Sequence, residues 1–185
     1  MKSIDKPERK ERNLLISDSI TESSVGKIIE KIFEINEDDN RKEEIYKEWP
    51  REPIYLFINS FGGSVYNGLA LVDVIKQSKT PIYTVSIGSC MSMGLWIWLA
   101  GTKRLIGENA TLMFHDLSTL AYDKSEGIKQ ELNEMLRLQE MLIQEIVSKS
   151  TVKKGTLEDY ITRKAEWFIP AKEALDLKLA DSYYK

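Results

Sequence analysis

Hydrophobic and polar positions along the chain alternate between short apolar runs and amphipathic stretches. The run "LLIS", 14–17, is β-like, and behind it Val25, Ile28, Ile29, Ile32 and Phe33 recur at helical spacing after several Ser and Thr capping candidates. A strand followed by a helix is predicted. The next stretch, "NEDDNRKEEIYKEWPRE", is dense in both charge signs and contains Pro50, so it reads as a solvated surface connection. "PIYLFINS" then forms an apolar run bounded by Pro53 and the "FGG" turn, as a buried strand does, and "SVYNGLALVDVIKQS" puts Val65, Leu69, Val72 and Ile75 on one helical face. The unit recurs as the strand "PIYTVSIG", the opening of "SCMSMG" into an apolar helix, and the strand "ATLMFH". A long amphipathic helix is predicted over 124–150, with Ile128, Leu132, Met135, Leu142 and Ile146 in register. "FIPAKEALDLKLADS" reads as a Pro-initiated short helix and a terminal strand. Strands alternating with helices predict an α/β fold with parallel crossovers.

Composition narrows the picture. The chain has 185 residues, 42% hydrophobic and 30% charged, which suits one globular domain over 14–185. Residues 1–13 alternate charges without periodicity around Pro7 and are expected to form a mobile tail. A formal net charge of −3 supplies no basic field for nucleic acid or an anionic membrane, so neither is an expected partner. Cys90 is the only cysteine, which excludes an intrachain disulfide and a multi-cysteine zinc site and suits a reducing cytoplasm. The first residues lack the apolar core of a signal peptide, and "LWIWLAG" is too short to span a bilayer.

The candidate chemistry is nucleophilic. A hydroxyl attacks a carbonyl only when a base takes its proton and donors stabilise the resulting oxyanion. His115, the one histidine, ends an apolar strand, where a side chain emerges from the core and can serve as a general base. Ser92 falls at a strand-to-helix turn, a geometry equally suited to a nucleophile and to an ordinary helix N-cap. Ser86, Ser89 and Cys90 compete with it on composition alone. The paired glycines of "NSFGGSV" allow positive φ and close backbone approach, as a tight turn or an amide donor requires.

The stretch from "LFINSFGG" through "SIGSCMSMG" to "AGTKRLIGENATLMFH" resembles the proteolytic-subunit family of the Clp protease (ClpP), whose signatures are an Asn-Ser-Pro-Gly-Gly turn and a Ser-Met-Gly nucleophile turn. The resemblance runs from about Leu14 to Asp181. It implies a ClpP/crotonase-like spiral of β-β-α units with a protruding helical handle over 116–150. It also implies a catalytic pair of Ser92 and His115, an oxyanion hole from the amides of Gly63 and Met93, and no metal or cofactor. The implied assembly is a homo-oligomer of stacked rings that takes peptide or unfolded protein, fed by an AAA+ unfoldase, while hydrolysis itself needs no ATP. Smaller, divergent relatives of this kind occur in phages and prophages.

Three departures stand beside the match. Phe61 replaces the proline before the glycines, "HDL" replaces His-Gln-Pro, and "STLAYDKSEG" replaces the glycine-rich segment that follows. Counting back from "WFIPAKEA" puts Thr162, or Arg163 with a one-residue shift, where the family's orienting aspartate is expected; Asp159, Glu166 and Asp116 are nearby carboxylates. Two other readings follow: a crotonase-like acyl-CoA enzyme, which also uses two amides on an oxyanion, and a catalytically weak ring-forming assembly module.

Overall fold

A computed structural model describes residues 10–117 and 125–185. Residues 1–9 of the expected tail, and Ser118–Lys124 of the expected handle region, lie outside the described residues. In chain order the elements are β1 (Asn13–Ile16), α1 (Glu22–Ile45), β2 (Ile54–Ser60), α2 (Val65–Gln77), β3 (Ile82–Met91) and α3 (Met93–Leu99). Then follow β4 (Lys103–Ile106), β5 (Thr111–Phe114), α4 (Ser125–Lys149), α5 (Lys154–Thr162), β6 (Trp167–Pro170), α6 (Ala171–Asp176) and β7 (Ser182–Tyr183). This is the α/β alternation that the hydrophobic pattern predicts.

The sheet runs β1-β2-β3-β4-β7, all parallel, and forks at β3. The first part of β3 pairs with β4 from Tyr83 to Ser86, whereas its last part, Ser89 to Met91, pairs with β5. A register shift against β2 between Ile58 and Ser60 makes the fork possible, with Gly88 at φ 61 inside it. Asn59 holds the irregular segment: its Oδ1 accepts from the Ser89 amide at 3.1 Å and the Ser89 hydroxyl at 3.0 Å. β5 also pairs with β6, the one antiparallel neighbour in the sheet. β2 alternates buried and half-buried positions, so its apolar run packs one face on the core while Tyr55 and Phe57 meet Tyr184 edge-on across the other.

α3 lies inside the molecule, buried along its whole length. Its polar groups are paired there: Trp98 Nε1 donates to the Leu105 carbonyl at 2.9 Å, and Thr84 Oγ1 to the Trp98 carbonyl at 2.7 Å. The amphipathic helix predicted over 124–150 is present as α4, but its apolar stripe is divided. Leu138, Leu142, Ile143 and Ile146 are buried, whereas Ile128, Leu132 and Leu136 are 41–51% exposed.

Two expectations are corrected. The charged stretch after Ile35 is not a loop, because α1 continues through it to Ile45 and turns Asp39 into the core, fully buried. Val25, Ile28, Ile32 and Ile35 form the buried stripe of α1, and Asp39 is its next member. Its carboxylate accepts from Arg12 Nη1 at 3.0 Å, from Thr80 Oγ1 at 2.7 Å and from Trp49 Nε1 at 2.9 Å. Burial pushes the Asp39 carboxyl up, and the bonds from Arg12, Thr80 and Trp49 outweigh it, leaving the group below its ordinary range. The other correction concerns the end of the expected tail: Arg12 is buried in this pair, also donates to the Glu52 carbonyl at 2.7 Å, and Asn13 already belongs to β1.

Candidate active site

The fork of the sheet positions the site. β3 and β5 are parallel and in register, Met91 beside Met113, so both chains leave the sheet at the same end. Ser92 follows β3 immediately, and His115 follows β5. Parallel α/β sheets build their sites at this carboxyl end, where side chains leave the ladder and helices begin.

Ser92 adopts φ 52, ψ −122, a conformation that L side chains rarely take. Its surroundings enforce it. The Ser92 amide donates to the Met113 carbonyl at 3.0 Å, and the Ser92 carbonyl accepts from the Trp96 amide at 3.3 Å to start α3. Although Ser92 occupies the N-cap position, its side chain makes no capping bond. The hydroxyl instead lies 2.8 Å from His115 Nε2. Both residues are half-buried, reachable from solvent but held by the fold.

The competing nucleophiles are elsewhere. Ser86 is fully buried inside β3, and the Ser89 hydroxyl is spent on Asn59. Cys90 is also fully buried, and burial pushes its thiol far above the ordinary range, which removes the thiolate that cysteine chemistry needs.

Gly62 and Gly63 pack against the serine turn. Both have positive φ, 103 and 147. A Cβ at Gly62 would fall 2.7 Å from Ser92 Cβ and 3.2 Å from the Met93 amide nitrogen, so only glycine allows this approach. Ile20 bridges the turn from the far side: its amide donates to the Gly62 carbonyl at 2.9 Å and its carbonyl accepts from Ser64 N–H at 2.8 Å. In such a parallel bridge the middle residue, Gly63, directs its own N–H away from Ile20. Met93 is the first residue of α3, where helical amides have no partner within the helix. Phe61, in the proline's place, is 77% exposed beside this turn.

Thr162, Arg163 and Asp159 make their hydrogen bonds along α5 and not to the histidine. Thr162 lies exposed in α5, its hydroxyl donating to the Glu158 carbonyl at 2.8 Å, while Arg163 pairs with Asp159. The count that selects Thr162 gives way to the strand register. The β5–β6 ladder ends at Phe114 and Trp167, and His115 and Glu166 are the next residues beyond it on the two segments. Glu166 is exposed, and among the described residues no carboxylate is hydrogen-bonded to His115. The segment after the histidine is tied to α4, where the buried Gln139 accepts from the Leu117 amide at 3.3 Å.

Comparison with known proteins places the chain in a family. Residues 4–184 match the model of the Clp protease family. The chain belongs to that family. Among its relatives is the ATP-dependent Clp protease proteolytic subunit 2 of Parasynechococcus marenigrum (strain WH8102), 29% identical over 175 residues that cover 94% of this chain and 83% of the relative. The subunit 2 of Prochlorococcus marinus (strain MIT 9312) is 31% identical over 179 residues, covering 92% and 80%. Subunit 3 of Parasynechococcus marenigrum is 30% identical over 174 residues, covering 92% and 81%.

Several residues around the candidate site are not singled out by a reading of the sequence. Gly68 gives no motif signal, yet a Cβ there would fall 2.3 Å from Met93 Cγ, so α2 packs directly on the residue after the serine. Gln139 looks like any polar position of α4 until its burial is seen. Glu166, one of three nearby carboxylates in the sequence, is set apart only by where the β5–β6 ladder ends. No helix among the described residues is long and apolar enough to cross a membrane.

Proposed function

We propose that the chain is a serine peptidase subunit in which Ser92 is the nucleophile and His115 the general base. The observation that carries this reading is Ser92 itself: a serine held at positive φ whose hydroxyl forgoes helix capping and lies 2.8 Å from His115 Nε2. Ser92 Oγ attacks the peptide carbonyl carbon as His115 takes its proton, and the backbone amides of Gly63 and Met93 hold the oxyanion. Collapse of that intermediate breaks the C–N bond. His115 returns the proton to the leaving amine, and water then hydrolyses the acyl-enzyme by the same groups.

Glu166 is the carboxylate we assign to orient the imidazole: the β5–β6 ladder ends at Phe114 and Trp167, and continuing that register by one residue opposes Glu166 to His115. Directly opposed residues of an antiparallel pair have Cβ atoms about 4.5–5.5 Å apart, within reach of a glutamate side chain. Rotation of the exposed Glu166 side chain toward the ring completes the site.

The subunit works in a homo-oligomer. The exposed stripe of Ile128, Leu132 and Leu136 on α4 is the face that a second copy covers when rings stack. Delivery of folded substrates falls to an AAA+ unfoldase that spends ATP, whereas amide hydrolysis at Ser92 needs no nucleotide. No observation favours the acyl-CoA reading.

The test is intact mass after treatment with a fluorophosphonate. Wild type should gain one adduct and Ser92→Ala none. Absence of an adduct on wild type, under conditions that label a control serine hydrolase, overturns the assignment.

A further inference from the structure

The nucleophile's surroundings also bear on which peptide bonds are cut, an inference that rests on the peptidase reading above. In acyl transfer the attacked carbon is bonded to the Cα of the residue on the acyl side, P1. The P1 side chain must therefore lodge in whatever space adjoins Ser92 and His115. One cavity adjoins both, and among the described residues its remaining lining is apolar, including Val65, Met93, Trp96, Phe114, Leu117 and Leu142. Its volume is only ≈10 Å³. A cavity needs about 10–15 Å³ by this measure to hold a single water, so one methyl group fills it.

The walls do not yield readily. Trp96, Phe114 and Leu142 are 2%, 1% and 3% exposed and belong to the main core, where close packing resists the insertion of extra methylenes. Met93 is a pliable side chain in principle, but it is pressed against α2 at Gly68. Leu117 is the exception, half-buried on the segment that follows His115.

We infer that this pocket selects a small P1 residue of the alanine class. Trp96 and Phe114 form its floor, and Leu117 and Leu142 its sides; these four residues exclude leucine, methionine and aromatic side chains.

The experiment compares two peptidyl diphenyl phosphonates that differ only in an alanine-like or leucine-like P1 group, with a simple fluorophosphonate as control. In each phosphonate reaction Ser92 Oγ forms the P–O bond, one phenoxide leaves, and the serine proton passes through His115 to give phenol. The alanine-type probe should label wild type at least about tenfold faster than the leucine type, since a single methylene in an apolar pocket is worth roughly 10–200-fold. Leu117→Ala should erase that preference, and Leu142→Ala is a second enlargement should the first variant misfold. Equal or faster labelling by the leucine type overturns the inference, as does fluorophosphonate labelling with neither phosphonate reacting. A preference unchanged in both folded variants overturns the assignment of the walls. If the fluorophosphonate also fails, the peptidase reading falls with it.

Discussion

Two polar assemblies of this molecule lie in contrasting states. Around Asp39 both carboxylate oxygens are engaged: Arg12, Thr80 and Trp49 all donate to one buried carboxylate. Around His115 the pairing is partial, with Nε2 engaged by Ser92 and no carboxylate bonded to the ring among the described residues. The first assembly joins the chain just before β1 to α1 and to the start of β3, so its job is to fix the register of the parallel sheet. The second sits where β3 and β5 end, and there the proposed reaction moves protons. A carboxylate with several buried donors gives rigidity and a partly paired histidine leaves a group free to act, so a substitution in each should separate stability from activity.

The largest expected effect is on activity. His115→Ala should lower kcat for a short peptide by roughly 10⁴-fold or more, at least about 5.5 kcal/mol of barrier, as removal of the base does in serine peptidases. Its unfolding midpoint in urea should stay close to wild type, because the ring is half-buried and bonded to one partner. A large loss of stability with activity per folded molecule retained would reverse the contrast.

Next comes Asp39→Ala, which strands Arg12 uncompensated in the interior and should destabilise by about 3–5 kcal/mol. Turnover per folded molecule should be unchanged. The pH dependence follows from the same carboxyl. Its folded pKa lies below its unfolded value, so its contribution is fully present above an unfolded pKa of about 3.9 and is lost as pH falls through the folded value. The wild type should therefore lose stability as pH drops below about 4, and the double variant Arg12→Met, Asp39→Leu should lose less over that range. Urea melts across this window would show an equal slope in both if Asp39 did not contribute.

The sequence makes parts of this contrast legible and hides others for physical reasons. Ser92 and His115 stand out because each ends an apolar strand, where a polar side chain has to face something other than core. Asp39 is hidden by its neighbours, since dense mixed charge reads as solvated surface. Yet the spacing Ile28, Ile32, Ile35 continues to Asp39, and a lone carboxylate on an apolar stripe calls for a buried cation. That cation, Arg12, is 27 residues away in sequence, and only the folded sheet reveals the partnership. The α4 periodicity shows an amphipathic helix but not how far the rest of the chain reaches along it, so the exposure of Ile128 and Leu132 is invisible beforehand. Thr162 fails as the third position because a turn joins α5 to β6, with Lys164 at φ 51, and linear counting through a turn does not follow strand register.

Two glycines offer the finest test of the contrast, because both lie in helices and differ only in what surrounds them. A Cβ at Gly68 meets Met93 Cγ at 2.3 Å, so Gly68→Ala has to push Met93, the proposed oxyanion donor next to Ser92. Overpacking of this kind costs about 1–3 kcal/mol, and displacing one oxyanion donor lowers kcat by up to roughly 10²-fold. Both stability and turnover should fall together. Gly26, in α1, has nothing within 4 Å of an added Cβ, and its φ is not positive. Gly26→Ala should stabilise by about 0.5–1 kcal/mol through helix propensity and a less flexible unfolded chain, with turnover untouched. Thermal melts and peptide hydrolysis on the pair would decide the point. If Gly68→Ala leaves kcat at the wild-type level while lowering Tm, α2 supports the fold but not the serine turn, and Met93 is not held where the oxyanion forms.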